Sequence, residues 1–201
     1  MIIGDPSNFA IESSITEAYE RLSLRALGFF VIHVGGFSYG KRSADSTMLA
    51  CSFDEVGGRI AMRGSHTMPF AAEAGAEHIA GAFRNAMYGE EPQDSYFGIP
   101  LLQFREMIHS KRIVWAPDGD EAFDDGSYVL HFDVEDHVRL IAFKSTPYGP
   151  YDPSTIRDVR LAADDFYSLL REWQYAFENE WAKLPKAAGP SQGDDLNVDL
   201  R

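Results

Sequence analysis

A single cysteine, Cys51, is all that the sequence offers to thiol chemistry. One cysteine excludes an intramolecular disulfide and any cysteine-built metal cage. Positive charge is scarce as well: 18 Lys and Arg stand against 31 Asp and Glu, a formal net charge of -13 over 201 residues. A balance of that sign is repelled by nucleic-acid phosphates and anionic lipid headgroups, and it favours a basic partner. Long apolar runs are missing too. The longest, around Leu27 to Val34, is far too short to cross a bilayer. Met1 to Pro6 has no basic stretch leading into an apolar one, so no signal peptide is read and the expected compartment is the cytoplasm.

What is present suits a globular chain. Apolar residues make up 45% and aromatics 13%, and no stretch is low in complexity, which argues for a packed core and against disorder. Phe9 to Glu12 reads as a short strand, and Thr16 to Leu24 as a polar helix. Leu27 to Val34 has the β-branched and aromatic content of a strand buried on both faces. Gly35-Gly36 then signals a hairpin, with Phe37 to Tyr39 returning. Met48 to Phe53 is expected as another strand, and Asp54 to Met62 as a short helix weakened by Gly57-Gly58. Glu77 to Tyr88 and Leu101 to His109 carry helical spacing on either side of a loop from Pro92 to Pro100.

A second β region begins at Ile113 to Trp115. Tyr128 to Val134 alternates, turns at Glu135-Asp136 and runs back as Val138 to Phe143. Arg157 to Leu161 reads as one more strand after an irregular connection from Thr146 to Pro153. Asp164 and Asp165 suit the positive end of a final helix, along which Phe166, Leu169, Leu170, Trp173, Phe177 and Trp181 recur until Pro185 stops it. The expected architecture is a single α+β domain over residues 1–185. It has mostly antiparallel sheet, flanking helices and a long amphipathic C-terminal helix, with a flexible acidic tail over 186–201.

Motifs for chemistry are thin. No glycine run precedes Lys41 as a phosphate loop requires, and no Gly-x-Ser-x-Gly turn presents a nucleophile. None of the six histidines pairs with another at helical spacing, and His131 reads as a sheet-surface residue that could meet His137 across the hairpin. Asp118 and Asp120 begin like a calcium loop. Ala122, Phe123 and Val129 then occupy places that need a ligand, a glycine and a glutamate. No catalytic residue, metal or other cofactor is expected.

Charge clustering is the one pattern above background. Asp118, Asp120, Glu121, Asp124, Asp125, Asp133, Glu135 and Asp136 lie in a stretch without a single Lys or Arg, next to Trp115. Like charges so close repel, and an acidic surface around an aromatic anchor is what a Lys- or Arg-rich protein partner would need. These nine residues are the candidate contact surface. Two other readings stay open: a small carboxylate-using hydrolase or transferase, and an acidic adaptor for another basic protein. Monomer and homodimer are equally compatible with the sequence.

Several segments also resemble bacterial immunity protein family 42. They are Ile3-Gly4-Asp5-Pro6-Ser7-Asn8-Phe9-Ala10-Ile11-Glu12, Glu121-Ala122-Phe123-Asp124-Asp125-Gly126-Ser127-Tyr128-Val129-Leu130, Val138 to Phe143, and the Trp-containing last helix. The similarity runs from Met1 to about Trp181. It implies an immunity protein of a polymorphic toxin or contact-dependent inhibition system, which binds the basic C-terminal toxin domain of a cognate effector. The resemblance brings no catalytic residues and no defined contact surface with it.

Overall fold

The computed structural model describes residues 1–115, 121–145 and 151–187. In chain order the elements are β1 (Ile2–Asp5), β2 (Phe9–Tyr19), β3 (Ala26–Val34), β4 (Phe37–Tyr39), β5 (Thr47–Met48), α1 (Leu49–Ala61) and α2 (Ala76–Tyr88). There follow β6 (Ser95–Tyr96), β7 (Ile99–Pro100), α3 (Leu101–Ser110), β8 (Val114–Trp115), a single 3-10 turn (Glu121–Phe123), β9 (Ser127–Val134) and β10 (His137–Ser145). The chain ends its described part with β11 (Tyr151–Ala162), α4 (Ala163–Lys183) and β12 (Lys186–Ala187). The class is α+β.

Two sheets carry the fold. The first has the order β1-β2-β3-β4, with β5 also on β3 and β12 joining β2 in parallel. The second has the order β11-β10-β9-β8 and is antiparallel throughout. One face of the second sheet, through Val129, Val138, Leu140 and Ala142, shares a core with Phe30 and Ile32 of the first sheet, with α1 and with α4. Its other face, through Leu130, Phe132, Ile141 and Phe143, packs on α2 and α3. Burial on both sides explains why β9 and β10 are apolar almost continuously, since successive strand residues point to opposite faces.

Helix α4 covers the seam. Phe166, Tyr167, Leu170, Trp173 and Phe177 are buried at helical spacing, each contributing roughly 1.5–3 kcal/mol of hydrophobic transfer. The indole of Trp173 packs edge-on to Phe30 at 5.2 Å, and its Nε1 donates to Ser13 Oγ at 3.0 Å. The sequence signal for this helix, for the β9–β10 hairpin and for β3–β4 agrees with the structure.

Three expectations are corrected. Thr16 to Leu24 is not helical, because β2 continues to Tyr19 through a register shift between Ile15 and Glu17. A bulge of this kind breaks the alternation by which a strand is recognised. Of the strand expected over Met48 to Phe53 only Met48 is a strand residue, at the end of β5, because α1 starts at Leu49 and runs straight through Gly57 and Gly58. Those glycines make room: a Cβ on Gly58 would lie 2.3 Å from Arg112 Nη1, and one on Gly57 would lie 2.9 Å from Gln174 Nε2. Within the expected loop from Pro92 to Pro100, β6 and β7 form a small hairpin whose central pair, Phe97 and Gly98, both have positive φ.

Lys186 and Ala187, which the sequence places in the tail, pair with Ala18 and Tyr19. The expected irregular connection falls mostly on residues 146–150, outside the described residues, while Tyr151 to Pro153 already belong to β11. Among the described residues no helix is long and apolar enough to cross a membrane.

Candidate functional site

Among the described residues the acidic stretch does not form one surface. Glu121 opens the 3-10 turn and Asp124 follows it, both exposed. Asp125 is tied down, accepting from Lys144 Nζ at 2.6 Å and from the Ser127 backbone N–H at 3.1 Å. Glu135 and Asp136 occupy the turn at the far end of β9, with the Asp136 side chain 97% exposed. Eight strand residues separate these two groups, roughly 25 Å of extended chain. Asp118 and Asp120 lie outside the described residues.

Trp115 is 1% exposed and packs beneath the Arg59 guanidinium, 4.4 Å from it. A side chain so enclosed cannot anchor a partner on the surface. Asp133 is likewise taken up internally, its side chain 8% exposed. Of the nine candidates, the described surface therefore brings together Glu121, Asp124 and Asp125 at one end of the hairpin, and Glu135 with Asp136 at the other.

Asp133 belongs to a polar network that the sequence did not announce. Arg59 is fully buried on α1, ion-paired with Glu55 at 2.9 Å, and Glu55 also holds Arg112. Arg59 donates to Val114 O at 2.7 Å, to Arg112 O at 3.0 Å and to His131 Nδ1 at 3.0 Å. Tyr167 Oη donates to Asp133 Oδ1 at 2.8 Å, and the His66 backbone N–H donates to Asp133 Oδ2 at 3.0 Å. His131 is thus a core residue and not the sheet-surface residue expected. It faces Leu140 across the hairpin while His137 faces Val134, so the two histidines do not meet.

The charges in this network follow their surroundings. Burial, reinforced by the neighbouring Arg59 and His66, pushes the His131 imidazole down to about 3 despite the Asp133 carboxylate. Burial also lowers His66. Arg59 is lowered by burial to about 10, partly offset by Glu55, and so stays charged at neutral pH. Burial alone would raise Asp133, but the donors around it outweigh that and hold it well below the usual carboxylate range.

His66, His131 and Asp133 bring three possible metal-ligand atoms within 4.8 Å of one another. The donor set does not suit a cation. An Arg59 N–H pointing at His131 Nδ1 requires a lone pair there, which puts the imidazole proton on Nε2 and removes the lone pair a metal would take. A permanent guanidinium charge beside the ring opposes a cation further. The network is internal: Arg59 and Arg112 share Glu55, and the Asp133 carboxylate is held by hydrogen bonds from Tyr167 and the His66 backbone.

A second feature falls outside the sequence reading. Helix α2, the β6–β7 hairpin and Tyr151 enclose an open groove of about 590 Å³, with Gly81 and Ala82 in its floor and Phe97 and Tyr151 in its walls. Glu77 and Gln93 stand at its margin, with Asp94 next along the chain. A glycine in mid-helix was the signal that could have marked it.

Comparison with known proteins bears on the whole chain. The family model described as Immunity protein 42 matches residues 1–176. No curated protein matches. Among solved structures, the crystal structure of CdiI from Burkholderia dolosa AUO158 is similar with a TM-score of 0.53 and 17% identity, covering 88% of this chain and 99% of that one. At that identity the likeness concerns the fold.

Proposed function

Because the chain belongs to the immunity protein 42 family, we propose that it neutralises a cognate bacterial toxin by binding the toxin domain one to one. The observation that carries this reading is the family match over residues 1–176. A fold shared with CdiI, a contact-dependent inhibition immunity protein, accords with it. The chain acts as an inhibitor and not as an enzyme. The buried cluster of His66, His131 and Asp133 is engaged in internal hydrogen bonds.

The toxin is a basic nuclease-type domain. Support comes from the net charge of -13, since proteins that bind phosphate backbones carry the opposite sign. Capture is steered by charge, which raises the association rate and makes it dependent on salt. Glu121 and Asp124, with Asp118 and Asp120 before them in sequence, are the part of the acidic stretch that takes part. Binding takes place in the cytoplasm of the producing cell, where an incoming toxin domain would act.

Co-expression tests the reading directly. Cells carrying the toxin gene that adjoins this one should die without the chain and grow with it. Continued killing in the presence of the folded chain would refute the immunity role.

A further inference from the structure

The groove between α2, the β6–β7 hairpin and Tyr151 shares no lining residue with the Arg59–His131–Asp133 network. Resting on the immunity reading, we infer that it is the contact site for the toxin, and that it receives a loop bearing a Lys or Arg side chain.

Its charge speaks for a cationic occupant. Glu77 lines the groove, Asp94 adjoins it, and Glu90 and Glu91 follow the end of α2. All four are exposed, and among the described residues none forms an ion pair with a Lys or Arg. Helix α2 has one cation of its own, Arg84, and it is engaged elsewhere: its Nε donates to Ser145 Oγ at 2.8 Å and its guanidinium lies over the Tyr88 and Tyr128 rings. Among the described residues Glu77 and Asp94 therefore have no Lys or Arg as an ion-pair partner.

Its walls are aromatic and fixed. The Phe97 ring stacks on Phe70 with centroids 4.0 Å apart and touches His78 at 4.6 Å. Phe97 sits in the hairpin turn at φ +53, a left-handed conformation that costs a bulky residue on the order of 1 kcal/mol or more. Tyr151 Oη is anchored on Glu77 O at 3.3 Å. Rigid aromatic faces beside carboxylates suit a guanidinium or ammonium group, which gains cation–π attraction along with ion pairing.

Gly81 is the most telling residue. A Cβ built there would meet Tyr151 at 3.4 and 3.5 Å, ordinary van der Waals contact, and no backbone atom. Alanine would fit and would strengthen the helix by roughly 0.5–1 kcal/mol. Packing thus gives no reason for the glycine. Keeping the groove open does, and a position where local stability is forgone without a structural return marks a binding surface.

The experiment measures binding of the purified toxin domain, encoded by the adjoining gene, to four forms of the chain. Gly81→Trp fills the groove and should weaken binding on the order of 100-fold while leaving the melting temperature at or above that of the parent. Glu77→Lys with Asp94→Lys should slow association about tenfold or more at low salt, less at high salt. Glu135→Lys with Asp136→Lys, at the far hairpin turn, should bind like the parent. Parental affinity of a folded Gly81→Trp would overturn the groove assignment and leave the immunity role standing. Should Gly81→Trp not fold, unchanged association of the Glu77→Lys/Asp94→Lys form does the same. If the parent chain neither binds nor protects, the immunity reading falls and the groove with it.

Discussion

Arg59 Nη1 donates to His131 Nδ1 at 3.0 Å, with both side chains fully buried. One N–H therefore decides the tautomer of a histidine far from solvent. Nitrogen chemical shifts of His131 at neutral pH should show an unprotonated Nδ1 and a protonated Nε2. Addition of Zn²⁺ should leave those shifts unmoved, and a shift of the Nε2 resonance on titration would count against the tautomer assigned.

The same burial sets a pH dependence. His131 is lowered to about 3 in the fold, against about 6.5 when unfolded. Below pH 6.5 the unfolded chain takes up a proton that the folded chain refuses, so stability is complete above 6.5 and falls as pH drops toward 3. The slope is about 1.4 kcal/mol per pH unit once the unfolded histidine is protonated. His66, also lowered by burial, acts in the same direction. His131→Asn keeps an acceptor for Arg59 but cannot titrate, and it should flatten the decline in urea midpoint between pH 6 and 4. An unchanged slope would show that other groups govern it.

Removing the cation should be costly. Arg59→Met leaves His131 Nδ1, Val114 O and Arg112 O without their donor and Glu55 with Arg112 alone. Breaking one partner out of a buried charge pair costs about 3–5 kcal/mol. Chemical denaturation of Arg59→Met should show a loss of that size, whereas a loss under 1 kcal/mol would mean that the network contributes little.

Two glycine substitutions should differ in sign. A Cβ at Gly28 would sit 1.9 Å from Ser14 O in the neighbouring strand, so Gly28→Ala must push β2 and β3 apart and should destabilise by several kcal/mol or abolish folding. Gly81→Ala meets only the Tyr151 ring and should raise stability by about 0.5–1 kcal/mol. Thermal melts of the two variants decide the contrast.

Charge reversal at the other acidic end gives a separate test of steering. Glu121→Lys with Asp124→Lys touches two exposed residues without ion pairs among the described residues, so the fold should be unaffected. Association with the toxin domain should slow several-fold at low ionic strength and converge on the parental rate in high salt. Equal rates at low salt would remove this patch from the encounter surface.

The sequence was legible where one periodicity ran uninterrupted. The β9–β10 hairpin and α4 could be read from spacing because each presents a regular apolar pattern to the shared core. Legibility ended where a neighbour far along the chain decided the outcome. The bulge after Ile15 hid the second half of β2, and Gly57-Gly58 looked like helix breakers until Arg112 and Gln174 were found against them. For the candidate site the limit was different. Asp118 to Asp136 is one cluster along the chain, but β9 runs through it and carries Glu121, Asp124 and Asp125 to one end and Glu135 and Asp136 to the other, with Asp133 turned inward to Tyr167. Arg59 and His131 could not be matched in advance because 72 residues separate them.

Helix α4 also has a consequence in time. It packs on β1, β2, β10 and β11, all of which precede it, and Trp173 reaches back 160 residues to Ser13. A ribosome finishes the second sheet, and all of the first but β12, before it makes the element that seals them. The growing chain therefore carries an open apolar seam until α4 emerges, and exposed apolar surface of that kind favours association between chains.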